Sequence, residues 1–468
     1  MKKFLSCFLC AAMILGITGC SQNEEANGEP TGTTEDDNPV NVSDVDLDLN
    51  KEIDIKGMEL NFLCSYNVIS AGDVKPAYVY FNETYGADIK CTQVSDSEIM
   101  EKLSAMINSG ESPDLIDQRQ NSFPYYIGQN SYMALDEYMD INAPQWKDVA
   151  SFIDGYAING KHYYYPWAYF VSPRLLIYNR GKFNELGIDD PKTLYDQNNW
   201  TWDTMKKCMT DFVNGVKGEV PDAIGMYGSV ATSFINSTGV SMVELKDGQL
   251  ISNLNNPNID RAETFLENLK KEGLSRLEYG SGEYNNVHHT PVISGYAAFQ
   301  SVGDWKITDY CKKQAKDETM DIFFVPFPKD PNADKYYHNV STFAYLVPAG
   351  APHPEASCIF INCVRLSKTD PTLMETTKQS ILKEKKYTDE QYEMWNYFQT
   401  VSNFDPANLV ADYAYNIDTD TCNNVITKLC EDVPFVENED TQTWTVMRSS
   451  MESVLDHSLS EINASLKG

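Results

Sequence analysis

The stretch that decides the fold is residues 58–117, MELNFLCSYNVISAGDVKPAYVYFNETYGADIKCTQVSDSEIMEKLSAMINSGESPDLID. Strand-like runs alternate in it with helix-like runs that end at Gly86 and Gly110, and Ser95 or Asp96 is a candidate cap for the second helix. A βαβαβ run predicts a parallel sheet whose ligands lie at the carboxyl ends of the strands. No glycine-rich phosphate loop follows the first strand, so a dinucleotide site is not expected. The predicted strands are 58–66, 87–94 and 112–117, and the predicted helices are 74–86 and 95–110.

The amino terminus has the pattern of an export signal. Two lysines precede an apolar run from Phe4 to Ile17, which is shorter than the roughly 20 residues of a membrane-spanning helix. Residues 17–20, ITGC, resemble a bacterial lipobox, which implies a signal peptide over 1–19 and diacylglycerol on the sulfur of Cys20. Two or more acyl chains anchor a protein stably to a membrane. An ordinary secreted protein with an incidental cysteine is the alternative.

An acidic segment follows the cysteine. Residues 21–50 contain many acids and no base, and they cannot bury enough apolar surface to fold. We predict a disordered tether over 20–52, with an acidic protein-binding tail as the alternative. The net charge of −31 disfavours nucleic acid and anionic lipid as partners. The roughly 415 residues after the tether exceed one typical core, so two domains are expected.

The composition offers little for catalysis or metal binding. The cysteines after Cys20 are scattered without metal-ligand spacing, and Cys358 and Cys363 are poorly placed to bridge on one helix, so buried free thiols are expected. His288 and His289 are neighbours with no further ligand beside them. No G-x-S-x-G elbow is present, and the spacing of the acids singles out no pair. We predict no catalytic residue, no metal and no cofactor, and favour binding without chemistry over an enzyme.

Further motifs extend along the rest of the chain in a fixed order. They are NGK at 159–161, LIYN at 176–179, WTWD at 200–203, GYAAFQSVGDW at 295–305, VPFPKD at 325–330 and YLVPAGAPHPEAS at 345–357. Together they resemble the extracellular solute-binding proteins, family 1, that serve carbohydrate ABC importers. The resemblance implies an α/β, two-lobed periplasmic-binding-protein-like fold (type II), with a ligand cleft between lobes joined by hinge crossings.

That fold allows the lobes to be placed on the sequence. Crossings are expected near 171–173 and 328–337, with a last return near residue 400. The expected lobes are 53–170 with 335–398 for lobe one, and 171–334 with 399–468 for lobe two.

A sugar site needs flat aromatic platforms and short polar groups. The resemblance implies that Trp305 stacks on a sugar, that Asp304 and the backbone of Gly303 bind hydroxyls, and that Trp444 closes the pocket. Position beside strand ends adds further candidates. These are Trp167 and Tyr169 at the cleft rim, Tyr66 and Asn67 after the first strand, and Asp117, Gln118, Arg119 and Asn121 after the third.

Some aromatic residues have another expected role. A core role is the alternative for Trp167 and Tyr169, while Trp200 and Trp202 are expected to pack at a helix entry capped by Thr201. Gln118 stands where maltodextrin binders tend to carry an aromatic platform, so no particular sugar is carried over.

The sequence therefore predicts a monomeric, lipid-anchored receptor on the extracellular face of the cell membrane. It would bind an oligosaccharide or related sugar and pass it to the membrane subunits of an ABC importer. A receptor for another small solute, such as a polyol phosphate or an amino-acid derivative, is the first alternative. A surface glycan hydrolase or adhesin is the second.

Overall fold

The structure is a computed structural model, and it describes residues 54–72, 74–117, 123–228, 230–275, 290–417, 421, 425–426, 428–429 and 443–467. Within these ranges, the side chains of Asp304, Trp305 and Tyr415 are not described. The predicted signal peptide, the lipidated Cys20 and the tether up to residue 52 lie outside the described residues.

The described residues form strands and helices in alternation. In chain order the strands are β1 (Glu59–Cys64), β2 (Asp88–Gln93), β3 (Leu115–Asp117), β4 (Pro166–Val171), β5 (Arg174–Asn179), β6 (Ile224–Tyr227), β7 (Val243–Lys246), β8 (Gln249–Ser252), β9 (Ala297–Gly303), β10 (Ile322–Val325), β11 (His338–Leu346) and β12 (Leu409–Ala411). The helices are α1 (Lys75–Tyr85), α2 (Ile99–Ser109), α3 (Tyr125–Gly128), α4 (Ala150–Gly155), α5 (Arg180–Leu186), α6 (Pro191–Asp196), α7 (Trp202–Val216), α8 (Ala231–Asn236), α9 (Pro257–Lys271), α10 (Asp304–Gln314), α11 (Pro354–Leu366), α12 (Pro371–Lys385), α13 (Asp389–Gln399) and α14 (Trp444–Ser465).

The first sheet has the strand order β12-β11-β3-β1-β2, with β4 also paired to β11. β1 runs parallel to both β2 and β3, which confirms the parallel βαβαβ unit predicted from residues 58–117. β11 runs antiparallel to β3 and to β4, so the complete sheet is mixed. Its core is aromatic: the rings of Phe62 and Tyr345 lie 4.8 Å apart, and Phe360 of α11 stacks on Tyr345.

The predicted helix ends are confirmed and one predicted cap is wrong. Gly86 and Gly110 follow α1 and α2 in the left-handed conformation, at φ 68° and 76°, which glycine adopts without strain. α2 begins later than predicted, after Glu98, and neither Ser95 nor Asp96 caps it. The hydroxyl of Ser95 instead donates to the Glu98 carboxylate at 2.5 Å, in a turn that precedes the helix.

The second sheet has the strand order β10-β5-β9-β6. β6 is parallel to β9, whereas β5 is antiparallel to both β9 and β10. Thr201 caps α7 by accepting from the N–H of Thr204, and Trp200 and Trp202 beside it are buried. The predicted packing role of these two tryptophans is therefore confirmed.

The chain passes from one sheet to the other at places that follow from which strands each sheet contains. It passes between β4 and β5, over residues 172–173, and again between β10 and β11, over residues 326–337. β12 pairs with β11, so the first sheet includes residues 409–411, which lie beyond the predicted last return near 400. Below, the first lobe means the part built on the first sheet and the second lobe the part built on the second sheet.

The described cysteines are free thiols. They are Cys64, Cys91, Cys208, Cys311, Cys358 and Cys363. Cys422 and Cys430 lie outside the described residues.

Candidate functional site

The two sheets turn their carboxyl ends toward each other. β4 and β3 run in the same direction, since both are antiparallel to β11, and β4 ends at Val171. In the second sheet β9 ends at Gly303, opposite Arg174, the first residue of β5. Two residues separate Val171 from Arg174, so the carboxyl ends of β4 and β9 meet at one chain crossing. Ligands of α/β sheets bind at such ends, which makes the space beside this crossing the candidate site.

The first chain crossing is bonded to the start of β11, where the second crossing ends. Ser172 lies between β4 and β5 at φ 53°, a left-handed conformation that is uncommon for residues other than glycine. Its N–H donates to the carbonyl of Asn339 at 2.7 Å, and its hydroxyl lies 3.1 Å from Nδ1 of His338. Burial lowers the pKa of His338 to about 4, so its imidazole is neutral at physiological pH.

A buried polar network links the first sheet to the second lobe. Asp412 follows β12 and accepts hydrogen bonds from the side chain of Asn236 at 3.1 Å and from the N–H groups of Met242 and Val243. Asn339 of β11 donates to the side-chain oxygen of the same Asn236 at 2.7 Å. Burial raises the pKa of Asp412, and the four donors that face it, including the N–H of Ala414, partly oppose that rise.

A cluster of aromatic side chains lies on the part of β11 that extends beyond β3. The hydroxyl of Tyr164 bonds to the hydroxyl of Thr342 at 2.7 Å, and Phe123, Tyr156 and Tyr413 surround the Tyr164 ring or pack on each other. Burial raises the pKa of all three tyrosines, so they stay protonated at neutral pH. All four rings are buried, so the cluster packs as core along this part of β11 and supplies no general base near neutral pH.

The described residues bear on two other functions. No three His, Cys, Asp or Glu side chains among them are grouped as a metal site would require. None of the helices in the described ranges is long and apolar enough to cross a membrane.

The sequence pattern of the bacterial extracellular solute-binding proteins matches residues 77–400. The chain belongs to this family. The predicted resemblance to extracellular solute-binding proteins is thereby confirmed. A search of curated proteins found no match.

Solved structures share the fold of this solute-binding protein at low sequence identity. The galacto-N-biose-/lacto-N-biose I-binding protein of an ABC transporter from Bifidobacterium longum, in complex with lacto-N-biose, has a TM-score of 0.62 and 13% identity, over 86% of this chain and 98% of its own. An ABC substrate-binding protein from Listeria monocytogenes, in complex with cycloalternan, has a TM-score of 0.60 and 13% identity over the same shares. UgpB from Mycobacterium tuberculosis, in complex with glycerophosphocholine, has a TM-score of 0.61 and 14% identity, over 85% of this chain and 98% of its own. These likenesses confirm the predicted two-lobed α/β fold.

Three predicted site residues of the solute-binding protein lie together at the carboxyl end of the first sheet. Parallel register pairs Phe62 with Leu115, which places the end of β1 level with Asp117 at the end of β3. Tyr66 and Asn67 follow β1, and Tyr66 is 41% exposed while Asp117 is buried. This end of the first sheet therefore presents an exposed ring at the level of a buried carboxylate.

The positions of Trp167 and Tyr169 had predicted that both lie at the cleft rim. In the structure neither lies at an exposed rim. Both are 2% exposed, because β4 is covered by α11 and α13. The Trp167 ring packs 5.6 Å from Tyr345, which fits the core role considered as the alternative. Tyr169 lines a separate cavity between β4, α12 and α13.

The remaining predicted residues lie in three places. Gly303 ends β9 and precedes α10, whose first residues are Asp304 and Trp305. Trp444 is buried at the start of α14, where its indole N–H donates to Asp260 of α9 at 2.6 Å. This polar atom therefore already has a partner, and the predicted contact of Trp444 with a ligand stays a prediction. The other three, Gln118, Arg119 and Asn121, lie outside the described residues.

Sequence reasoning missed the polar network of Asn236, Asn339 and Asp412 and the aromatic cluster around Tyr164. Asn236 lies 176 residues before Asp412, and neither it nor the pair Asp412 and Tyr413 belongs to a quoted motif. The one available signal for Tyr413 was the sequence DYAY at 412–415, an acid followed by two tyrosines in a polar segment.

Proposed function

We propose that this protein is a lipid-anchored, extracellular substrate-binding protein of an ABC importer that binds an oligosaccharide or related sugar without turning it over. The observation that carries the proposal is the meeting of the carboxyl ends of two sheets at a chain crossing that is bonded to the start of β11. Family membership supports it, since the matched family consists of extracellular solute-binding proteins. Neighbours of the same fold in complex with lacto-N-biose and cycloalternan point to saccharides as the first ligands to try.

The mechanism is a population shift between an open and a closed form. A ligand that touches both lobes favours closure by no more than the difference in its affinity for the two forms. The crossings at residues 172–173 and 326–337 absorb the rotation, as hinge segments do. The membrane subunits of the importer then recognise the closed form.

Each lobe would contribute part of the ligand-binding site. Trp305 stacks on a sugar ring, while Asp304 and the N–H of Gly303 bind hydroxyls from the second lobe. The first lobe would contribute the ends of β1 and β3, and the residues proposed there are Tyr66, Asn67, Asp117, Gln118, Arg119 and Asn121. Sugars bind well to such sites because aromatic faces cover their C–H surfaces while short polar groups take their hydroxyls.

The lipid anchor on Cys20 would hold the binding protein at the outer face of the cell membrane. Two or more acyl chains make such attachment stable. Substituting Cys20→Ala should move the protein from the membrane fraction to the soluble fraction. Unchanged fractionation would refute the anchor without touching the proposal for the ligand.

A small solute that carries a phosphate is the second candidate ligand. UgpB, which shares the fold at a TM-score of 0.61, was solved in complex with glycerophosphocholine. A thermal-shift screen that includes mono- and oligosaccharides beside glycerophosphocholine separates the two. A rise in melting temperature with glycerophosphocholine alone would favour the second candidate.

The stacking role of Trp305 can be tested directly. Trp305→Ala should remove most of the affinity for the saccharide found in the screen and leave the melting temperature nearly unchanged. Trp202→Phe is the matched control, since the buried Trp202 indole donates to Ser237 in the second lobe. The control should lower the melting temperature and keep the affinity. If Trp305→Ala instead lowers the melting temperature sharply and keeps the affinity, Trp305 belongs to the core.

A further inference from the structure

A second, partly open space lies beside β4 of the first sheet, apart from the candidate cleft. Its volume is about 540 Å³, and it is bounded by β4, the end of α11, the helices α12 and α13, and residues 400–402. Of the strands that the structure describes, only β11 pairs with β4, so the other edge of β4 is open to this space. No described residue that lines it belongs to the second sheet or to the loops after β1 and β3. We name it the edge-strand cavity.

Four residues of its wall carry a buried polar atom that has no hydrogen-bond partner among the described residues. They are Tyr169 of β4, Thr377 of α12, and Trp395 and Gln399 of α13. Nearly all buried polar groups in folded proteins have a partner, and an unpaired one is unfavourable by as much as a lost hydrogen bond. Four such atoms from three elements around one cavity indicate that the cavity holds something polar.

The unpaired atoms define the hydrogen-bonding character of the missing partner. The indole Nε1–H of Trp395 can only donate, and the amide Oε1 of Gln399 can only accept. The hydroxyls of Tyr169 and Thr377 can do either. A molecule rich in hydroxyl groups can donate and accept hydrogen bonds at several points, as these atoms require. The rings of Tyr392 and Trp395, 5.9 Å apart, add aromatic surface for their C–H groups.

The charged groups of the wall favour a neutral molecule. Arg365 donates two hydrogen bonds to the carboxylate of Asp148, at 2.7 and 2.6 Å. Glu375 accepts a hydrogen bond from Gln379 at 2.7 Å, and the ammonium of Lys378 lies 5.3 Å from the centroid of a tyrosine ring. Both carboxylates and the guanidinium are thus bonded, while the ammonium of Lys368 lies 5.7 Å from the centroid of the Trp167 ring. The two acids and three bases of the wall nearly cancel in charge, which favours a neutral ligand.

We propose that the edge-strand cavity is a second ligand site, for a neutral polyhydroxylated molecule such as a polyol or a small sugar. The volume falls within the range of about 300–1,000 Å³ typical of small-molecule pockets and far exceeds the roughly 30 Å³ of one water. The ligand accepts from Trp395, donates to Gln399 and bonds to the hydroxyls of Tyr169 and Thr377. The site is separate from the proposed cleft, since none of the described residues that line it belongs to the second sheet or to the loops after β1 and β3.

The test uses the mature full-length chain and two probes, myo-inositol and glucose, titrated calorimetrically. The variant is the double substitution Tyr169→Phe and Gln399→Leu, which removes two of the polar atoms while keeping the side chains close in size. Binding of at least one probe should weaken about tenfold or more in this variant. Its melting temperature without probe should not fall, because atoms that had no partner in the protein have been removed.

Tyr178→Phe is the matched control. The hydroxyl of Tyr178, buried in the second lobe, donates to Asp190, so this change should lower the melting temperature and leave probe binding unchanged. The proposal is overturned if neither probe binds, since the cavity then holds water only. Equal affinity in the wild type and the double variant also overturns it, because the probe then sits elsewhere. The proposal is also overturned if the double variant melts at a lower temperature than the wild type, as the control should.

Discussion

Asn339 in the first sheet donates a hydrogen bond of 2.7 Å to Asn236 in the second lobe. The same Asn236 donates to the carboxylate of Asp412, which follows β12 of the first sheet. Since Ser172 also bonds to Asn339, the first chain crossing, the start of β11 and the helix α8 share one set of hydrogen bonds. Any change in the angle between the lobes must therefore bend around these residues or break their bonds.

Asp412 is the acceptor on which this network depends. Asp412→Asn would turn an N–H₂ group toward donors that now face a carboxylate oxygen, and should lower the free energy of unfolding by about 2 kcal/mol. Urea denaturation followed by fluorescence measures this change.

Asp405→Asn is the control for that substitution. Asp405 is exposed and caps a short turn by accepting from the N–H of Ala407, a role that asparagine fills equally well. The control should change the free energy of unfolding by less than about 0.5 kcal/mol. Equal losses at both positions would contradict the importance of the network.

His338 makes stability depend on pH. Burial lowers its pKa from the ordinary 6.5 to about 4. Above pH 6.5 the ring is neutral whether the chain is folded or unfolded, and between 6.5 and 4 the unfolded chain alone takes up a proton. This residue should therefore reduce the free energy of unfolding by about 1.4 kcal/mol for each pH unit below its ordinary pKa, until the folded pKa is reached.

Urea denaturation at pH 7 and pH 5 checks this expectation. His338→Phe keeps a ring beside Tyr336, Phe398 and Phe404, and should lose less stability than the wild type between the two pH values. His457→Gln is the control, because the His457 side chain is 74% exposed, and it should keep the pH dependence of the wild type. An equal loss in His338→Phe and the wild type would show that the ring titrates normally.

Glu263 on α9 is a buried acid whose two carboxylate oxygens have no hydrogen-bond partner among the described residues. Burial raises its pKa well above the ordinary value, with a smaller contribution from Glu267. An acid of this kind is neutral in both states at low pH, and it costs stability as the pH rises and the unfolded chain loses its proton. Glu263→Met should therefore raise the melting temperature at pH 8 more than at pH 4.

Glu267 on the same helix provides the contrast. Its carboxylate accepts from the N–H of Trp444 at 2.6 Å, so Glu267→Met removes a partner and should lower the melting temperature. A decrease of the melting temperature in Glu263→Met at pH 8 would mean that this carboxylate has a partner after all.

Cys91 should be the most reactive of the described thiols. A hydrogen bond from Cys64 lowers the pKa of the half-buried Cys91, whereas burial raises the pKa of Cys363. Reaction with iodoacetamide at pH 7, followed by peptide mass mapping, should label Cys91 before Cys363. Cys64→Ala should slow the reaction at Cys91, and equal rates in both proteins would contradict the role of Cys64.

Local signals carried the sequence predictions a long way. The βαβαβ unit, the stops at Gly86 and Gly110, and the cap at Thr201 depend on neighbours within a few residues, and each is present in the structure. The cap of α2 failed because Ser95 found a local partner in Glu98, a choice between two short-range bonds that propensity alone does not decide.

Long-range pairing is what the sequence could not supply. β11 pairs with both β3 and β4, and β12 joins the same sheet from residue 409, which no motif had indicated. Trp444 was predicted to close the pocket, yet its indole N–H is bonded to Asp260, 184 residues away. Tyr169 sits on a strand whose open edge faces helices that the motifs do not describe.

The central claim is that two hinged lobes close around a sugar, and small-angle X-ray scattering with and without the saccharide found in the thermal-shift screen tests it most directly. The account predicts a smaller radius of gyration for the saturated protein, with the saccharide recovered intact. An unchanged radius of gyration at saturation, or cleavage of the saccharide, would contradict it.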